Sequence, residues 1–106
     1  MTDNNLSKLK RRRTTQRSNA TRFAHQINVS DHSTPIDELQ YLSERLDETL
    51  ANLLTLDNAI QDLLDDEEYA NDVPTCEEYI DSSKRAIRKA KNLTNPTQSE
   101  NTTTNS

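Results

Sequence analysis

Leu39, Leu46, Leu53 and Ile60 recur every seven residues, and Leu42, Leu56 and Leu63 each follow a member of that series by three. Leu50, Leu54 and Leu64 widen the same stripe. Apolar residues at this spacing lie on one face of an α-helix, which must be buried against other helices. The stripe begins after Ser33-Thr34-Pro35. Thr34 is suited to cap a helix, Pro35 to occupy its first position, and Asp37 and Glu38 to complement its positive end. A helix over 35–69 is therefore expected. Asn71-Asp72-Val73-Pro74 is expected to break it, because the residue before a proline avoids helical geometry. Asp65-Asp66-Glu67-Glu68 then sits at its C-terminus, where negative charge is unfavourable.

Two further helices flank the long one. Ala20, Phe23, Ala24 and Ile27 share a face and predict a helix over about 20–29. Thr75 and Glu78 form a capping-box pair that predicts a helix over 75–93, with Cys76, Ile80, Ala86, Ile87, Ala90 and Leu93 on its inner face. Between Lys10 and Asn19 there is no large apolar residue, so 1–19 reads as a basic, largely disordered arm, helical only when docked. Residues 94–106 read as a disordered polar tail.

The chain contains no glycine, no Asn-Gly or Asp-Gly turn and no alternating apolar run, which leaves no signal for a sheet. Only 30% of its 106 residues are hydrophobic, so the core is small. The fold class is all-α: a long central amphipathic helix with two shorter helices packed antiparallel. This is a helical hairpin or irregular three-helix bundle with coiled-coil-like packing. In it the last helix covers Leu53–Leu64, and Phe23, Ile27 and Val29 fold back over Leu39, Leu42 and Leu46. The leucine stripe outreaches these short covers. The face Leu39, Leu42, Leu46, Leu50, Leu53, Leu56, Ile60 and Leu63 is thus expected to bind a second copy or another helical protein.

The net charge of −5 conceals three blocks. Residues 1–29 hold seven bases and one acid, 30–83 hold sixteen acids and one base, and 84–106 hold five bases and one acid. Such segregation speaks of partners or of internal pairing. In the expected packing both basic blocks converge on the middle of the central helix, where Asp57 is the one nearby acid. Lys8, Lys10, Arg11, Arg12, Arg13 and Arg17 are candidate phosphate contacts for sequence-independent binding of nucleic acid. Phe23 is the one aromatic in that region for base stacking, so base-specific reading is not implied. The hexamer Lys8–Arg13 also resembles a nuclear-localisation patch, and the Arg-rich start a transit peptide, whose apolar face is missing here.

No catalytic constellation is present. His25 and His32 lack Cys or His companions at ligand spacing, and Asp65–Glu68 lacks the alternation and the glycine of a calcium loop. Cys76 reads as a buried structural thiol. A lone cysteine forms no internal disulfide, which fits a reducing compartment, and no apolar run reaches membrane-spanning length. These features predict a non-enzyme with no metal, cofactor or small-molecule substrate, no membrane partner, and an intracellular, cytoplasmic or nuclear location.

The order RRRTTQRSNATRF, STPIDELQYLSERLDETLANLLTLDNAIQDLL, DDEEYANDVPTCEEYIDSSKRAI resembles the N-terminal helical segment of Gag-like polyproteins of BEL/Pao-type LTR retrotransposons. The likeness covers Arg11–Ala90: a basic start entering a helix, a Leu/Glu-rich helix, and an acidic D-E-E-Y segment before a last helix. It implies a role in assembly or protein interaction and a stand-alone or truncated N-terminal piece. No zinc knuckle, aspartic-protease motif, polymerase or integrase segment accompanies it.

Overall fold

The computed structural model describes residues 2–94, with side chains from residue 5. Three helices follow one another: α1 (Thr2–Asn28), α2 (Ile36–Gln61) and α3 (Asp66–Thr94). No strand occurs among the described residues. Arg13 meets Asp57 and Phe23 meets Arg45, so α1 and α2 run antiparallel. Arg13 meets Asp72 and Lys89 meets Asn28, so α1 and α3 run parallel. The result is an up-down-up bundle of three helices of nearly equal length. The tail expected over 94–106 lies, from residue 95, outside the described residues.

Two boundaries differ from those the sequence predicts. The first helix is not confined to 20–29; it starts at Thr2 and takes in the whole basic arm. Its inner face reads Leu6, Leu9, Arg13, Gln16, Ala20, Phe23, Ala24, Ile27, an unbroken three-four spacing in which Arg13 and Gln16 stand where leucines are expected. The apolar gap over Lys10–Asn19 is a polar layer of the bundle, and Arg13 is buried at 7% exposure.

The second difference lies at the other end of the leucine stripe. α2 stops at Gln61, not Tyr69, and the chain turns over Asp62–Asp65. Asp65 Oδ1 accepts the Glu68 backbone N–H at 2.8 Å, and the Asp65 N–H donates to Glu68 Oε1 at 3.2 Å. This reciprocal pair is a capping box, and it starts α3 ten residues before Thr75. Asp66, Glu67 and Glu68 thus occupy the first turn of a helix, where their charge complements the macrodipole. α3 then passes through Pro74. Pro74 and Ala70, whose carbonyl loses its usual partner, both lie on the exposed side, so the missing hydrogen bond leaves no buried polar group.

The α1–α2 connector is fixed locally. Asp31 Oδ1 accepts the Ser33 N–H at 2.8 Å and the Ser33 hydroxyl at 2.5 Å, and Thr34 Oγ1 accepts the Asp31 N–H at 3.1 Å. These bonds, the Ser33 hydroxyl first, hold the Asp31 carboxyl below its usual pKa. Thr34 is therefore engaged in the turn, and Pro35, one residue later, is the cap of α2.

With α1 and α3 this long, the leucine face is covered along its length. Leu39, Leu42, Leu46, Leu50, Leu53 and Ile60 are buried, and Leu56 and Leu63 half-buried. Leu42, Leu46, Leu50 and Leu53 form one cluster with Ala20, Phe23, Ala24 and Ile27 on one side and Ala86, Ile87 and Ala90 on the other. Small residues on α3 (Ser83, Ala86, Ala90) let the helices approach closely. Val29, expected to cover Leu39–Leu46, stays outside at 68% exposure, since α1 ends one residue before it.

Candidate interaction surfaces and the buried polar layer

The face expected to bind a partner is the core of the chain itself. Of the leucines that the spacing nominates, Leu39, Leu42, Leu46, Leu50 and Leu53 are buried, Leu56, Leu63 and Leu64 half-buried, and Leu54 alone lies outside. The apolar side chains left outside are scattered: Val29, Ile36, Tyr41, Leu54 and Tyr69 form no contiguous patch along one helix. Single exposed apolar residues of this kind are ordinary on a soluble surface.

The six candidate phosphate contacts divide into two groups. Lys8, Lys10, Arg11 and Arg12 are exposed and make no ion pair among the described residues. Arg13 and Arg17 turn inward. Arg13 donates to both carboxylate oxygens of Asp72 at 2.9 Å, a forked geometry that an arginine suits and a lysine does not. It also reaches Asp57 Oδ1 at 3.5 Å. Arg17 lies 4.6 Å over the Tyr79 ring and donates to Cys76 Sγ at 3.4 Å. The buried pair and the stacked residue are occupied within the fold and are withdrawn from any phosphate site.

Around Arg13 the charges balance. Burial works against the guanidinium charge, but the Asp72 hydrogen bond and the charges of Asp72 and Asp57 outweigh it, and its pKa is raised. Burial likewise opposes the Asp72 charge, yet hydrogen bonds from Arg13, Cys76 and Gln61 hold its carboxyl below the usual range. The Cys76 thiol donates to Asp72 Oδ2 at 3.2 Å. Burial first, then that bond and the neighbouring carboxylates, push its pKa up to about 12. Cys76 is thus a protonated hydrogen-bond donor in the middle of α3, not a nucleophile at a helix start. Arg17 Nε is buried without a partner.

The sequence carried a signal for this layer. Asp57 stands seven residues after Leu50 and seven before Leu64, a charged residue inside the leucine stripe. A carboxylate at such a position requires a buried cation, and Arg13 at the gap in α1 is its complement.

The remaining expectations fall as follows. His25 and His32 are exposed, and the described residues contain no group of three or more His, Cys, Asp or Glu placed to hold a metal ion. No described helix is long and apolar enough to cross a membrane. A hollow of about 570 Å³ is an open groove between α1 and α3 where the small Ala20, Ala24 and Ser83 face one another. Lys89 Nζ closes one end of that seam by donating to the Asn28 carbonyl at 2.5 Å, at the negative end of α1. No family model, curated protein or solved structure matches this chain.

Proposed function

We propose that the chain is a non-enzymatic helical interaction module that self-associates or docks another helical protein through its charged exterior. This keeps the role that the likeness to Gag-like N-terminal segments implies, and moves its surface. The carrying observation is the closure of the leucine stripe inside the bundle, which leaves the segregated charges of α1 and α2 as the distinctive features outside. Docking through charge is salt-sensitive and tunes encounter more than affinity. Light scattering on the full chain tests the reading. Association that weakens as salt rises and leaves the helix content unchanged is expected; association that strengthens with salt points to apolar docking and sinks it.

A second reading, sequence-independent binding of nucleic acid, is favoured by one observation: Lys8, Lys10, Arg11 and Arg12 remain exposed on one helix. With Arg13 and Arg17 engaged, no more than about four phosphates are neutralised there. The salt slope of duplex binding is then about −4 or shallower, at roughly −0.9 per phosphate. A slope near −6, or binding unchanged in Arg11→Glu/Arg12→Glu, contradicts this assignment.

A further inference from the structure

We propose that two copies of this chain pair through the outer face formed by α1 and α2, the basic end of each lying on the acidic end of the other. The proposal rests on the interaction-module reading and names its partner.

The register of the bundle carries the argument. Arg13 beside Asp57 and Phe23 beside Arg45 set α1 against α2. Lys8, Arg11 and Arg12 then stand level with the last turns of α2, whose exposed residues there, Leu54, Thr55 and Asn58, are uncharged, with Asp62 exposed at the cap just beyond them. Asp37, Glu38, Glu44 and Glu48 stand level with the last two turns of α1, where Arg22 is the one lysine or arginine. Lys8, Arg12, Thr15, Asn19, Arg22 and Gln26 follow three-four spacing along one edge of α1. Gln26 shares a hollow with Glu38 and Leu42, so that edge borders α2. One face of the molecule is therefore positive at one end and negative at the other. At 1.5 Å per residue the block centres lie roughly 24 Å apart.

That separation exceeds the Debye length of about 8–10 Å at ordinary salt, so the blocks do not neutralise each other within one chain. Among the described residues the acidic block holds one ion pair, Arg45 with Glu48 at 3.6 Å, both well exposed. A two-fold axis lying in the interface, across the line joining the blocks at its midpoint, carries each onto the opposite block of a second copy. Such a contact is isologous and closes at two. Thr15, Ser18, Ala51 and Asn52 occupy the middle of the face, short uncharged side chains that permit close approach. Tyr41, 59% exposed within the acidic block, offers its ring to an incoming guanidinium. A polyanion would use the basic block alone and meet a chain of net charge −5; a second copy uses both blocks.

Sedimentation velocity of the full chain at about 100 μM tests this, in low salt and in 1 M salt, where screening reaches about 3 Å. Dimer at low salt and monomer at high salt is expected. K8E/R11E/R12E and E38K/E44K/E48K should each be monomeric at low salt while keeping the parent's circular dichroism. An equimolar mixture of the two should recover a dimer, because one carries acid at both ends and the other base at both ends. Monomer at every salt concentration overturns the proposal and the self-association reading together. Dimer that survives both triple variants overturns this face alone and leaves the module reading standing. Binding of a 30-base-pair duplex that K8E/R11E/R12E removes, with no dimer at low salt, overturns the proposal in favour of phosphate contact.

Discussion

Arg13 is the residue on which the bundle's register depends. Its guanidinium is held by two carboxylates from two other helices, so it fixes the level of α1 against both α2 and α3 at once. Removing it leaves the buried Asp57 and the half-buried Asp72 without their cation. Arg13→Ala is expected to cost about 3–5 kcal/mol by urea denaturation, a large part of the stability of so small a domain. Replacing Arg13, Asp57 and Asp72 together by apolar residues of similar volume should be far milder than Arg13→Ala alone, because no unpaired charge remains. Asp72 also sets an acid limit. Its folded pKa is lowered, so its contribution is present above the unfolded value near 3.9 and is lost as pH falls through the lower folded value. The urea midpoint should drop as pH falls below about 4, and Asp72→Asn should flatten that part of the profile. Cys76, by contrast, should resist alkylation at pH 8 in the folded chain and react promptly in urea, since its thiol is buried and its pKa raised.

At the scale of the helices, the acidic run Asp65–Glu68 changes meaning with its position. Placed at a C-terminus it opposes the macrodipole; placed at the start of α3 it supports it. Asp65→Ala, which removes the capping box, should lower stability by about 1 kcal/mol in thermal melts. Asp66→Ala should cost about 0.3–1 kcal/mol, where relief at a helix C-terminus would have made it neutral or stabilising. The charges, not the proline, marked the boundary between α2 and α3. Proline is costly inside a helix because it removes a hydrogen bond and crowds the preceding turn. Here it lies on the water side of a helix whose inner face, including Cys76 and Ala86, is held by burial.

For the whole molecule, the basic arm is a third wall of the core. Deleting residues 1–17 removes Arg13 and the part of α1 that lies over Leu53–Ile60. The truncated chain should lose most of its helical circular dichroism, whereas an appended arm would leave it intact. Leu53→Ala, at a site 1% exposed, should cost about 2–5 kcal/mol and lower the single melting transition. The bundle's closure also relocates the surface available to a partner, from leucines to charges.

What the sequence determined by itself is the all-α class, the apolar face of each helix and the start of the central helix beside Pro35. Periodicity, turn chemistry and the absence of glycine are local properties, readable at three- to seven-residue range. Only the tertiary structure decided that 2–19 is helix, that α2 ends at Gln61 and that the leucine stripe is an interior. The first and last of those depend on Arg13 finding Asp57 and Asp72, residues 44 and 59 positions away, while the end of α2 goes with the Asp65–Glu68 capping box that starts α3. A buried ion pair is worth its desolvation only when both partners arrive together, and the spacing that singles out Asp57 does not name its partner.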